Sequence, residues 1–373
     1  MKNLIKCELK KFLHPLPHRI VIAFLMILPL LFVLGFQYSE QHSQVLFDGE
    51  WVSLAKGKQS ADQIRTDLAG LIDESWLSRA KTMLDDVTNS DLGQMDMKYQ
   101  TVSDAYWKGK YTYNNYETNK HNIMTPEIVK VDLEKHSPVY GPYEGWLTRL
   151  EIFKYCAIVY IISCLYLFSD LFNQEEAAGI MDMLKSSRMG RKPLAFAKIA
   201  VALIMTVTIG LLMYGVLALS TSSMLNLQGS KTTVLMLEGA FQIYNFKEIN
   251  QQAFLLMMVG GVSCTMVAAF LSVIMKKPFA SLAGSILFYA GPSLITIRFF
   301  NTAWNVFFPS SFLNFQSLNQ LMHFSWVQIN AQIYHRMGAV GLIWGTITCL
   351  LMISIIYVHC KNKKNYILKG WRS

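Results

Sequence analysis

Charge is what this sequence has little of: Asp, Glu, Lys and Arg make up 16% of its 373 residues, against 52% hydrophobic residues. That ratio leaves more apolar surface than a water-soluble domain of this size needs to bury. Cysteine is also scarce. The six cysteines are Cys7, Cys156, Cys164, Cys264, Cys349 and Cys360, and none falls between residues 37 and 151, the one long polar stretch. A disulfide framework is therefore not expected there, and no CxxC or Cys/His spacing points to zinc. A GxxxxGK[ST] phosphate loop is missing, and no polar stretch is long enough for a nucleotide-binding domain. Residues 299–335 contain no Asp, Glu, Lys or Arg at all, yet are full of Asn, Gln and Ser.

What the sequence does have is a series of uncharged runs close to the roughly 20 residues that cross a bilayer as a helix. They predict spans at residues 20–36, 152–172, 195–220, 253–275, 280–297 and 337–358. The first resembles a signal peptide only superficially, since Pro29 lies within it and no small-x-small cleavage site precedes Gln37, so it is read as retained. Lys and Arg set the orientation. Residues 1–19, 170–198, 276–277 and 359–373 carry 17 basic against 5 acidic side chains, whereas residues 38–151, 221–252 and 298–336 carry 16 basic against 20 acidic. The first group is expected on the cytoplasmic side, with both tails. An even number of crossings then makes the uncharged segment 298–336 an outer re-entrant hairpin of short helices, Phe308, Pro309 and Phe312 among its apolar residues, or an amphipathic helix on the outer surface. The fold class expected is an all-α polytopic membrane protein.

Residues 37–151 are too many for a loop and predict a folded, mainly helical outer domain. Ser60 and Gln63 suggest a capping box that opens one amphipathic helix through Ile64, Leu68, Leu71, Ile72, Trp76, Ala80, Met83 and Leu84. Tyr99, Tyr106, Trp107, Tyr111, Tyr113 and Tyr116 follow, interleaved with Lys98, Lys108 and Lys110; such rings build a core or grip a ligand. Residues 38–151 carry 12 basic and 18 acidic side chains, so nucleic acid is not an expected partner.

The segment 173–194 is the most informative. Asn173 is placed to cap a helix with Glu175 and Glu176 in its first turn and Lys185 and Arg188 in its last, matching the helix dipole; Gly190 stops it and Pro193 opens the next. Ile180, Met181 and Leu184 give that helix an apolar edge suited to docking in a groove. Before the first span, Ile5, Leu9 and Phe12 share one side of a helix that carries Lys2, Lys6 and Lys10 elsewhere, which reads as an interfacial helix at anionic lipid.

This arrangement, with the phrase Phe172-x-x-Glu175-x-x-x-Gly179 through Lys198, resembles the permease subunit of an ATP-binding-cassette exporter of the type-2 class, as found in bacteria. The resemblance implies that the 173–194 helix is a coupling helix seated on a separate ATPase subunit, with Glu175, Glu176, Gly179, Met181 and Leu184 in the contact. It also implies that the segment around Pro309 is the outer re-entrant hairpin. ATP and Mg would belong to the ATPase, with no cofactor in this chain, no catalytic or metal-ligating residue, and a second permease subunit completing the path in a plasma membrane. A peptide or amphiphile is the preferred cargo.

Three rivals are weighed. An intramembrane protease is suggested by Glu175-Glu176, but its pattern needs Arg where Ile180 stands, and no His cluster within the spans completes a site. An ion-coupled transporter needs ionisable groups deep in the membrane, and only Asp170 approaches that. A non-transporting sensor or immunity protein would instead bind a ligand in the outer domain. Gly291-Pro292 predicts a kink with a possible hinge role, Gly260-Gly261 and Ala268-Ala269 predict close helix packing, and His323 and His335 are read as polar interface residues.

Overall fold

The computed structural model describes residues 1–90, 93–121, 137–177, 179, 192–233, 245–275, 277–299, 326–329 and 332–361. Helix α1 (Lys2–Leu13) is followed after a two-residue bend by α2 (Leu16–His42), which starts on Pro15 and contains a buried Pro29. The amphipathic reading of α1 holds. Phe12 is buried, Ile5 and Leu9 pack against the main core, and Lys2, Lys6 and Lys10 stay in the open.

Among the described residues four helices are long and apolar enough to cross a membrane: α2, α6 (Glu144–Phe168), α8 (Lys192–Met224) and α9 (Phe246–Ile274). By length and composition these mark a membrane protein. Helices α10 (Pro278–Phe299) and α11 (Arg336–Lys361) occupy the two remaining expected spans. Their apolar helical stretches described at side-chain level are shorter, Pro278–Tyr289 and Ile343–His359. The backbone runs helical through Gly291 and Pro292.

Outward-facing Ile20, Phe24, Ile27, Leu31 and Leu34 on α2, with Leu211, Leu212 and Leu219 on α8, leave an apolar flank that water would not tolerate. The interior is sealed differently. Helix α9 packs against α6, α8 and α11. Gly210 and Gly261 let the Tyr160 side chain lie so close that an added Cβ would fall 2.8 Å and 2.5 Å from its atoms, so Gly261 of the expected pair serves close packing. The Tyr160 hydroxyl donates to the Thr206 carbonyl at 2.8 Å, Thr206 meets Thr265 at 2.8 Å, and Ser263 meets Thr348 at 3.2 Å.

The domain between α2 and α6 opens on a hairpin, β1 (Gln44–Phe47) and β2 (Glu50–Ser53), turned by Asp48 and Gly49 at φ 55° and 80°. Asp-Gly is the favoured pair for such a turn. The buried Asp96 carboxylate accepts from both turn amides, at 3.1 and 2.8 Å, and so fixes the hairpin to the start of α5 (Met97–His121).

The single amphipathic helix expected from Ser60 is corrected to two, α3 (Leu54–Asp67) and α4 (Glu74–Thr88). Stronger local signals win at both ends. Ser53 accepts from the Lys56 amide and Asp73 from the Trp76 amide, which makes these two the caps, and Gly70 at φ 151° turns the chain into β3 (Gly70–Leu71). Strand β3 pairs with β4 (Val139–Tyr140) just before α6. Ile64, Leu68, Ile72, Trp76, Ala80 and Leu84 still form one core, with Tyr99, Tyr106 and Tyr113 packed on it and Tyr116 buried, whereas Trp107 is exposed.

The fold is mostly helical as expected, with three short two-stranded ladders among the described residues. The third lies in the uncharged segment 298–336, where short helices were expected: β5 (Trp326–Ile329) pairs antiparallel with β6 (Gln332–His335). Its Val, Ile, Tyr and Trp residues suit a pleated surface better than a short helix. Phe308, Pro309, Phe312 and His323 lie outside the described residues.

Gly109 of α5 faces Trp76 of α4 with no room for a methyl group, an added Cβ falling 2.4 Å from the indole. Gly109→Ala is expected to destabilise the outer domain by about 1–3 kcal/mol, read as a lower denaturant midpoint of the tryptophan emission, while Gly93→Ala, with open space around it, leaves the midpoint unchanged.

Candidate functional site

Helix α6 ends at Phe168, and the chain bends through Asp170 into the short helix α7 (Asn173–Ala177). Asn173 does not cap it. The Asp170 carbonyl accepts from the amides of Asn173 and Gln174, and Asp170 Oδ2 accepts from the Gln174 side chain at 2.8 Å, while the buried carboxamide of Asn173 makes no hydrogen bond.

One turn on, Glu175 points into the bundle. The docking edge proposed for it would need exposure, but the side chain is 1% exposed and forms a carboxylate bridge. Lys198 of α8, also 1% exposed, places Nζ 2.5 Å from Glu175 Oε2 and 2.5 Å from the Leu171 carbonyl, over the Phe172 ring at 5.1 Å. Lys11 of α1 pairs with the other oxygen, Oε1. One carboxylate thus joins three helices that are far apart in sequence. Phe12 stacks on Phe168 at 5.1 Å, His18 Nδ1 meets the Phe12 carbonyl at 2.8 Å, and His359 of α11 lies 5.4 Å from Phe172. The start of α2, the end of α6, the start of α8 and the end of α11 therefore share one end of the bundle.

Three carboxylates, Glu8, Asp170 and Glu175, and two ammonium groups, Lys11 and Lys198, gather there. Burial pushes the Glu8 carboxyl up from its ordinary range, against the pull of Lys198 and Lys11, and Glu175 adds to the rise. Glu8, Lys11, Asp170, Gln174 and Lys198 border a cavity of about 10 Å³, room for one water at most.

A second polar cluster holds the opposite end. Arg65 of α3 is buried between Asp62 and Glu144, at 3.1 and 2.8 Å, with its guanidinium 4.2 Å from the Tyr143 ring. Burial opposes its charge, but Tyr143, Glu144, Tyr140 and Asp62 outweigh it and raise the pKa overall. Asp62 also accepts from the Tyr143 and Glu144 amides, capping α6 from another helix, and Lys58 binds Glu40 at 2.7 Å. Beside this cluster is a cavity of about 280 Å³ lined by Gln37, Gln41, Gln59, Thr148 and Asn226 with Glu40, Lys58 and Glu144.

Of the expected docking residues, Glu175 is inside the fold, Glu176 lies in α7, and Gly179 is exposed at φ 68°. Met181 and Leu184 lie outside the described residues. Sequence reasoning missed Lys11 and Glu8, and took Lys198 as part of a helix rather than a partner. The available signal was a lone Lys at the threshold of an uncharged run, where a buried charge needs a counter-ion. Among the described residues no group of three or more His, Cys, Asp and Glu side chains is placed to hold a metal ion.

Replacing one member of the bridge strands the other. Lys198→Met is expected to cost about 3–5 kcal/mol, and the Lys198→Met/Glu175→Leu double variant to cost less than the sum of the two singles; thermal unfolding of the detergent-purified protein reads both.

Glu8 gives a pH signature. Its raised folded-state pKa means that its favourable contribution is complete below the ordinary carboxylate pKa and disappears as pH rises through the folded value. Glu8→Gln should therefore raise the unfolding temperature at pH 7, and that gain should vanish at pH 4.

No protein-family model matches this chain, and no curated protein does.

Proposed function

We propose that the chain is the permease subunit of an ATP-binding-cassette exporter, crossing the membrane six times and moving a peptide or amphiphile outward. A separate ATPase subunit binds ATP and Mg, and a second permease, identical or homologous, supplies the other half of the path. On this reading the Lys11–Glu175–Lys198 end of the bundle faces the cytoplasm of a bacterial cell, and the permease carries out no chemistry of its own.

The observation that supports the reading best is the Glu175 bridge. A force applied to the loop that begins at α7 is not absorbed by local bending, because Glu175 is fastened to the buried Lys198 of α8 and to the partly exposed Lys11 of α1 by charge-assisted hydrogen bonds. The push is delivered to two further helices at once. Glu175 is then the strut behind the docking surface, and Glu176, Gly179, Met181 and Leu184 remain its proposed face toward the ATPase.

A second reading, a membrane sensor or immunity protein, draws support from the cavity of about 280 Å³ where the outer domain meets α2, α6 and α8. Its polar lining suits a small hydrogen-bonding ligand. Such a protein would need no ATPase.

Purification in mild detergent separates the two. A tagged chain is expected to bring down an ATPase with Walker motifs, Met181→Arg to abolish that capture, and Glu175→Gln to preserve capture while reducing nucleotide-driven movement of the bundle about tenfold or more, followed by a fluorophore on Cys349. If no ATPase is captured and nucleotide never alters the conformation, the exporter reading fails.

A further inference from the structure

Where α3 of the outer domain meets the ends of α2, α6 and α8, the cavity of about 280 Å³ opens to solvent past Gln41, Gln59 and Asn226, all three exposed. At about 30 Å³ per water molecule in the liquid, it has room for a small organic ligand. Its lining is charged. Lys58 Nζ donates to Glu40 Oε1 at 2.7 Å and comes within 3.8 Å of Glu144 Oε2, while Arg65 pairs with Glu144 Oε1 at 2.8 Å and with Asp62 at 3.1 Å. Three carboxylates thus face two cations in this cluster, and one negative charge is left over.

Three oxygens around the cavity also keep unused acceptor capacity. Glu40 Oε2 makes no hydrogen bond among the described residues, and Glu144 Oε2 has only the Lys58 ammonium at 3.8 Å, beyond hydrogen-bonding distance. The third belongs to Thr148, which follows Glu144 by one turn on the same face of α6. Buried helical threonines elsewhere in the chain, Thr206 and Thr348, turn their hydroxyls back to the carbonyl four residues earlier. Thr148 does not. It is 5% exposed and lines the cavity, and its hydroxyl makes no hydrogen bond among the described residues. None of the three oxygens is sealed inside the protein, in contrast to the unpartnered Nε of Arg65 close by.

We propose that this cavity binds a primary amine as its ammonium ion. The three N–H donors go to Glu40 Oε2, Glu144 Oε2 and Thr148 Oγ1, and the positive charge balances the one that the cluster carries in excess. An anion or a neutral polyol would not do both. Lys58 already brings the two carboxylates to a single nitrogen, and Ala55, Met224 and Leu225 supply an apolar wall for the carbon chain. The carboxamides at the mouth then accept from the next polar group along it. That chemistry belongs to an aliphatic diamine and to the lysine side chain of a peptide. The proposal gives a chemistry to the ligand of the sensor reading and rests on that reading only for the cavity they share; ATPase capture decides between exporter and sensor, and amine binding decides this.

Thermal unfolding of the full chain, purified in detergent with sodium chloride holding the ionic strength constant, tests it with four additives at equal millimolar concentrations: putrescine, Nα-acetyl-lysinamide, tetramethylammonium and glycerol. Putrescine or Nα-acetyl-lysinamide should raise the unfolding temperature in a saturable way. Tetramethylammonium, a cation without N–H donors, should not, nor should glycerol. Tighter half-saturation by putrescine identifies a free diamine; tighter half-saturation by the lysine derivative identifies a peptide side chain. Glu40→Gln should raise the half-saturating concentration about tenfold, and Thr148→Val, which breaks no hydrogen bond within the chain, about fivefold. The site is overturned if neither amine stabilises the parent, if tetramethylammonium or glycerol stabilises it as much, or if the two variants respond as the parent does. Should Glu40→Gln fail to fold, a parental response from Thr148→Val overturns it alone.

Discussion

A carboxylate buried to 1% exposure is tolerable only because two ammonium groups and the rest of its shell are fixed in place, and the arrangement of the whole membrane end follows from that requirement. Lys198 must project from the first buried turns of α8, Lys11 must reach down from α1, and α7 must turn inward directly after α6. None of the three helices can shift along its axis by a turn without breaking the bridge. A hydrophobic contact would permit sliding. The buried Glu175–Lys198 pair does not, because partial separation loses attraction without regaining water.

The apolar part of this architecture was legible in the sequence, because a bilayer imposes a length and an absence of charge that few other constraints imitate. All four long spans among the described residues overlie predicted ones, and Gly261 of α9 permits the close packing expected there. Pairing across long stretches was not legible. Glu175 and Lys11 are 164 residues apart, and Glu175 in the first turn of a polar helix looks the same in sequence whether it faces solvent or a buried lysine. Burial decided its role.

The outer domain shows a different kind of miss. Ser60 with Gln63 satisfied the pattern of a capping box, yet the helix had already begun at Leu54 on Ser53, and Asp73 offered a cap that no neighbour contested. Patterns that are individually correct compete, and the winner depends on where the apolar stripe can be buried. Asp48-Gly49 was the opposite case: a strong two-residue turn signal between apolar segments, passed over because a mainly helical domain was expected.

Both ends of the bundle are bound by buried charge, whereas its middle is bound by little more than packing and single hydroxyl contacts. Glu175 ties α7, α1 and α8 at one end; Arg65, Asp62 and Glu144 tie α3 to α6 at the other. Between them, the Thr206–Thr265 and Ser263–Thr348 pairs contribute only about 0.6 kcal/mol each, by the typical worth of such bonds between membrane helices. Any large rearrangement that keeps the ends intact must therefore pass through the faces of α9, where it meets α8 and α11. Glycine at 210 and 261 limits how far those faces can move, since Tyr160 fills the notch that both leave and donates its hydroxyl across it. Helix α9 thus packs against α6, α8, α10 and α11 through closely fitted faces with only weak hydroxyl contacts in the middle of the bundle.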